Sequence, residues 1–130
     1  MSDYAGVAST MNHARYQQGQ QKGHYESYFL RANHPDKPLA FWIRYTLFSP
    51  EKRPGDAIGE LWAVLFDGET GRHVAVKTEV PIAQCRFDRE RFAVQVGDAR
   101  LDGAKLTGAA SSRGHCVAWD LSYEGDEPPI

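Results

Sequence analysis

Short runs of β-branched and aromatic residues follow one another from residue 23 to residue 124, separated by Gly, Pro, Asn and Asp. Runs of this length, punctuated at short spacing, predict β-strands joined by tight turns. No segment after residue 22 repeats its apolar residues with the 3.6-residue period of a helix, so helical crossovers between parallel strands are not expected. The pattern predicts nine strands, at 24–33, 39–49, 57–66, 72–80, 82–88, 91–96, 99–101, 105–111 and 115–124.

An antiparallel sheet of this size without covering helices hides its apolar face by closing into a barrel or curling into a sandwich. We therefore predict a single all-β domain over residues 23–124. Residues 1–22 are rich in Gln, Ser, Ala and Gly and are expected to form a flexible leader, with a weak helix over 10–20 as the alternative. Residues 125–130 are expected to be a linker to a second half of the protein.

Composition limits the classes of partner. Fifteen Lys and Arg against seventeen Asp and Glu lack the basic excess of a nucleic-acid binder, and no apolar run is long enough to span a membrane. The first residues do not form a secretory signal, so a cytoplasmic protein is expected. In that setting Cys85 and Cys116 are expected to be buried small hydrophobes, with a disulfide between them as the alternative.

Two strands combine aromatic and charged side chains on one face. Because alternate residues of a strand share a face, Trp42 lies with Arg44, and Glu60 lies with Trp62. Glu26, on the first strand, is expected to join Arg44 and Glu60 on an inward-facing surface, where the charges would satisfy each other. The alternative places these charges on a solvated outer face, and the aromatic residues are then core or sheet packing.

The sequence offers little for metal or cofactor chemistry. The five histidines are scattered singly, without the paired spacing of a zinc site. A phosphate-binding glycine loop, a nucleophile elbow and a familiar Cys and His pairing are all absent from the sequence. No metal and no cofactor are expected.

Three segments carry a family resemblance: GHYESYFLRAN at 23–33, AFWIRYTLFSP at 40–50 and GELWAVLFD at 59–67. Together they resemble the opening of the hydroxyneurosporene synthase (carotenoid hydratase)-like family, whose members are double lipocalins. The resemblance implies a lipocalin-like or calycin-like barrel that forms the first of a pair enclosing an isoprenoid or polyene, with relatives that hydrate or cyclise such molecules. It implies a pocket lined by Glu26, Trp42, Arg44, Glu60 and Trp62.

Three functions follow from these patterns. The first is binding of an apolar small molecule of isoprenoid, polyene or fatty type, with Tyr28, Trp42, Arg44, Trp62 and Trp119 as ligand contacts. The second is a hydratase-like or cyclase-like enzyme in which Glu26 or Glu60 acts as general acid. The third is an interaction module that docks a second lipocalin-like half or a second copy of the chain.

Overall fold

The computed structural model describes residues 13–123, which form two antiparallel β-sheets. The first sheet has four strands in the order β1-β2-β3-β4, and the second has five in the order β5-β6-β7-β8-β9. The strands are β1 (His24–Asn33), β2 (Leu39–Ser49), β3 (Ile58–Asp67), β4 (His73–Pro81), β5 (Cys85–Phe87), β6 (Ala93–Val96), β7 (Ala99–Asp102), β8 (Lys105–Ser112) and β9 (His115–Ser122).

The core lies between the two sheets. Along β2 the alternating residues Ile43, Tyr45 and Leu47 are buried, and they face the buried Leu101 and Leu106 of the second sheet. Alternation along an extended strand sends the intervening residues of β2 to the opposite, outer face of the first sheet. The pattern of one covered and one uncovered face is typical of a β-sandwich.

A hydrogen-bonded tyrosine joins the two sheets at the centre of the core. The hydroxyl of Tyr45 lies 2.8 Å from the carbonyl oxygen of Arg100 and 2.9 Å from that of Thr107. It also accepts a 2.9 Å bond from the indole Nε1–H of Trp119, and the two rings meet edge to face. Because the Tyr45 hydroxyl and the Trp119 N–H both have hydrogen-bond partners, the two side chains can be buried between the sheets without a large desolvation cost.

The two long edges of the sandwich are covered differently. At the β4 edge, the hydroxyl of Thr78 donates to the carbonyl of Ser111 and accepts from its N–H, which ties β4 to β8. At the β1 edge, the chain preceding the strand packs against the core, with Ala14 and Tyr16 buried and the Ala14 N–H bonded to the carbonyl of Asp88. Residues 14–16 therefore form part of the packed structure, and residues 13–22 contain no helix.

The structure confirms an all-β domain of antiparallel strands and places them in two sheets rather than in one closed barrel. The predicted strand at 82–88 is shorter than expected, because residues Ile82–Gln84 form a 3-10 turn between the sheets and only Cys85–Phe87 pair. Within residues 13–123, no helix has the length and hydrophobicity needed to cross a lipid bilayer. The predicted linker at 125–130 and leader residues 1–12 lie outside the described residues.

The cysteines depart from the prediction. Both are free thiols, and Cys116 is exposed rather than buried. Cys85 is half-buried and packs against Gly59 of β3. A Cβ atom at position 59 would lie only 2.5 Å from the Cys85 sulfur. Glycine is therefore required on β3 at this point of sheet-to-sheet contact, and Cys85 alone acts as a packing residue.

Candidate functional site

The outer face of the four-stranded sheet carries four of the predicted site residues. Cα pairing brings Arg44 opposite Trp62 and Thr46 opposite Glu60. Trp42 lies two residues before Arg44 on the same face. This face is turned away from the second sheet, because the residues of β2 that alternate with Trp42 and Arg44 are the ones packed in the core. Strand pairing thus brings these two indoles and two charges together on the outer face of the sandwich, and not on the inward-facing surface that was expected.

Cations stack on both indoles of this face. The guanidinium carbon of Arg44 lies 4.5 Å from the ring centroid of Trp42. The ammonium of Lys77 lies 4.7 Å from the Trp62 ring and 2.8 Å from a carboxylate oxygen of Glu60. The hydrogen bond that the Lys77 ammonium donates to the Glu60 carboxylate is the main cause that raises the pKa of Lys77 above its usual value. A cation this close to the face of an indole ring is attracted by the ring's quadrupole.

The predicted pairing of Arg44 with carboxylates is therefore wrong. Glu60 pairs with Lys77, and Arg44 forms no ion pair within the described part of the chain. Its Nε is buried without an acceptor there. The reason is the position of these residues on the sheet. Lys77 of β4 lies directly opposite Trp62 and next to Glu60, whereas the guanidinium of Arg44 stacks on Trp42 of the same strand. We call Trp42, Arg44, Glu60, Trp62 and Lys77 the outer-face cluster.

Glu26 lies on the opposite, inner face, so the prediction that it shares a surface with Arg44 and Glu60 is wrong. Its Cα partner is Leu47, a core residue. One carboxylate oxygen accepts from the backbone N–H of Arg15 at 2.6 Å and lies 2.5 Å from His24 Nε2. The other accepts from the hydroxyl of Tyr28 at 2.7 Å. Glu26 thus organises a polar cluster at the β1 edge and anchors the preceding segment.

A cleft opens beside this cluster, between β1 and the part of the second sheet that contains Leu101. The Tyr28 and Phe92 rings stack there with their centroids 5.7 Å apart. Burial, with a further contribution from Glu26, raises the pKa of Tyr28 above its usual value. The cleft has a volume of about 310 Å3, and we call it the Tyr28 cleft. It is lined by Ser27, Tyr28, Phe29, Leu30, Phe92, Leu101 and Tyr123.

A second cleft adjoins it along β1. It has a volume of about 400 Å3 and shares Ser27 and Tyr28 with the first, so the two meet at the Tyr28 side chain. We call it the Glu26 cleft. Its lining is mostly polar and consists of His13, Arg15, His24, Tyr25, Glu26, Ser27 and Tyr28. One side of Tyr28 is therefore aromatic and aliphatic, and the other is rich in hydrogen-bonding groups.

Trp119 lies in the core rather than at either cleft. Its ring is buried, and its Nε1–H is bonded to Tyr45. Of the residues predicted to contact a ligand, Tyr28 is the one that the structure places in the inner clefts, while Trp42, Arg44 and Trp62 lie on the outer face. No group of three or more His, Cys, Asp or Glu side chains is arranged to hold a metal ion among residues 13–123.

Sequence reasoning missed Lys77, His24 and Phe92. Lys77 could have been found, because it alternates with the apolar Val76 and therefore belongs to the polar face of its strand. His24 lies two residues before Glu26 and so shares its face. Nothing in the local pattern around Phe92 indicates contact with Tyr28, which is distant in sequence and comes from the other sheet.

The comparisons with known proteins add no family to this geometry. Family models, curated proteins and solved structures all give no match to the chain.

Proposed function

We propose that the protein is a lipocalin-like binding domain, which holds an apolar small molecule in the Tyr28 cleft and the polar end of that molecule in the Glu26 cleft. The observation that carries the proposal is the junction of an aromatic cleft with a carboxylate-centred cleft at Tyr28 and the adjacent Ser27. A cleft of about 310 Å3 falls within the range of small-molecule sites, which are mostly apolar with a few convergent polar groups.

The apolar part of the ligand would be held by burial. The rings of Tyr28 and Phe92 form one wall, and Leu30 and Leu101 contribute aliphatic surface. Each square ångström of apolar surface removed from water contributes about 25 cal/mol, before the cost of immobilising the ligand. A flexible chain of about eight carbons is therefore expected to bind weakly, and a larger rigid hydrocarbon to bind more tightly.

The polar end is expected to be a hydrogen-bond donor. Oε1 of Glu26 already interacts with Arg15 and His24, whereas Oε2 accepts a single bond from Tyr28 among the described residues. A carboxylate oxygen has two lone pairs, so Oε2 keeps one acceptor position. An alcohol or an ammonium group can use that position, whereas a carboxylate would be repelled by it. Surrounded by donors in this way, Glu26 serves as an acceptor.

A series of ligands that differ only in the end group tests the proposal. Octylammonium, octan-1-ol and octanoate are titrated into the 130-residue chain, and their dissociation constants are compared by calorimetry. We expect the order of affinity to follow that sequence, with octanoate weakest. Equal binding of all three, or tightest binding of octanoate, would contradict the role of Glu26.

Matched variants separate the two clefts. Phe92→Ala removes the ring that stacks on Tyr28 and should weaken octan-1-ol binding by about tenfold, corresponding to roughly 1.4 kcal/mol of lost contact. Phe66→Ala removes an exposed ring from the outer face and should leave the affinity unchanged. Glu26→Gln should reduce the preference for octylammonium over octanoate while retaining octan-1-ol binding. Equal effects of Phe92→Ala and Phe66→Ala would exclude the Tyr28 cleft.

A further inference from the structure

The outer face of the four-stranded sheet leaves large aromatic side chains in solvent. Four rings on this face are exposed by 43% or more: Tyr25 at 56%, Phe29 at 57%, Phe48 at 45% and Phe66 at 43%. Cross-strand pairing places all four on the same side as the outer-face cluster. Several exposed aromatic residues on one face of a sheet, mixed with charges, are typical of a surface that another protein covers.

The strand register arranges this face in rows that run across the sheet. One row consists of Tyr25, Phe48, Ile58 and Pro81, and the next of Ser27, Thr46, Glu60 and Glu79. The third row consists of Phe29, Arg44, Trp62 and Lys77, and the fourth of Arg31, Trp42, Val64 and Ala75. The second row, which we call the acidic row, thus lies beside the third, basic row, and Lys77 pairs with both Glu60 and Glu79 within the chain. The two flanking rows are apolar except for Arg31.

These rows are complementary to themselves. A two-fold axis in the plane of the interface, perpendicular to the strands and midway between the acidic and basic rows, exchanges those two rows between copies. It places Lys77 of one copy opposite Glu79 of the other. The same axis exchanges the two flanking rows and brings Trp42 opposite Phe48. An isologous interface needs this kind of self-complementarity, in which residue i meets residue j and j meets i.

The area of the face is also sufficient for a dimer. Four strands about 4.8 Å apart, over nine residues with a rise of about 3.3 Å, give a projected area of about 500 Å2 per copy. Two copies would bury about 1,000 Å2, which is the lower limit for a specific interface. Protruding rings such as Phe29 and Phe48 add to the projected area.

We propose that the outer face of the four-stranded sheet is a self-association surface, through which two copies of this chain pack face to face with the acidic row of each on the basic row of the other. The face meets the two clefts only along β1, where Tyr25, Ser27 and Phe29 belong to the face and also line a cleft. The charged residues of β3 and β4 line neither cleft, so self-association through them does not depend on the proposed ligand-binding function. We choose a second copy as the occupant because the two-fold rotation places the acidic row of one copy on the basic row of the other. The same rotation places the two flanking rows on each other.

Charge exchange provides the most specific test. Lys77→Glu puts carboxylates opposite each other in the dimer, and Glu79→Lys puts ammonium groups opposite each other. Each variant alone should dimerise about tenfold more weakly than the unmodified chain in sedimentation velocity. An equimolar mixture of the two variants should recover the original dimer affinity, because opposite charges meet again. Lys105→Glu on the second sheet is the matched charge control and should leave the dimer unchanged.

An uncharged variant keeps the test decisive if Lys77→Glu does not fold. Phe48→Ser truncates an exposed ring, so it should retain the fold by circular dichroism and weaken dimerisation at least about tenfold. Leu65→Ser is the control, since Leu65 is exposed on the other face of the same sheet. An unmodified chain that stays monomeric at every concentration would overturn the proposal. A mixture no tighter than the single charge variants would also overturn it.

Discussion

Replacement of Tyr45 by phenylalanine tests how the two sheets are held together. The substitution keeps the ring and its edge-to-face contact with Trp119, and removes only the hydroxyl. That hydroxyl accepts from Trp119 Nε1–H and shares its proton between the carbonyls of Arg100 and Thr107. The variant therefore leaves an indole donor and at least one carbonyl without their partner in the middle of a sealed core.

The expected loss can be worked from those contacts. A buried donor left without its acceptor costs about 1–3 kcal/mol, and the lost bond to a carbonyl contributes about 1 kcal/mol more. We expect Tyr45→Phe to lower the free energy of unfolding by about 2–4 kcal/mol, measured from urea unfolding curves with an unchanged slope. Tyr25→Phe removes an exposed hydroxyl and should change it by less than about 0.5 kcal/mol. Equal stability of the two variants would refute the bridging role of Tyr45.

Three further expectations concern packing, pH and the N-terminal segment. Gly108→Ala should cost about 1–3 kcal/mol in chemical unfolding, because the new Cβ would lie 2.9 Å from the Trp119 ring, whereas Gly55→Ala meets no atom within 4 Å and should be tolerated. Burial raises the pKa of Tyr45 to about 12, so the contribution of Tyr45 to stability should be complete below about pH 10 and be lost from about pH 10 to 12 as the unfolded tyrosine ionises first; a stability that does not fall across that window would contradict this. Glu26→Ala should increase hydrogen exchange at the Arg15 amide, which loses its 2.6 Å acceptor, and unchanged exchange would show that the carboxylate does not anchor residues 13–16.

The strands of the first sheet could be predicted from the sequence, because alternation and turn residues act locally. The first two strands, His24–Asn33 and Leu39–Ser49, begin and end where the pattern predicts. The hairpin turn at 67–71 is also confirmed, with the Asp67 carboxylate accepting from the N–H groups of Glu69 and Thr70. These features depend on neighbours in sequence, so one chain is enough to identify them.

Which face a residue occupies depends on register, and register was not available from the pattern. The connection between β1 and β2 has five residues, and its length does not fix which residues pair. Pairing of His24 with Ser49 places Glu26 opposite Leu47 and so turns it toward the core. A shift of one residue would have placed Glu26 with the outer-face cluster, as the sequence analysis expected.

The division into two sheets depends on a short irregular segment. Pro81 lacks an N–H, and the chain then makes a 3-10 turn over Ile82–Gln84, whose Ile82 N–H bonds the carbonyl of Ala57. A run of apolar and polar residues there looks like a continuous strand. Long-range contacts such as the stack of Tyr28 on Phe92, which forms the proposed ligand site, follow from how the sheets cross and leave no local signal.

Binding of an apolar molecule in the Tyr28 cleft can be mapped by 15N–1H correlation spectra. During titration with octan-1-ol, the largest shifts should occur at the amides of Tyr28, Leu30, Phe92 and Leu101. Amides of the outer-face cluster should move little. Saturable shifts confined to Trp42, Trp62 and their neighbours, or no saturable shift at any amide, would contradict it.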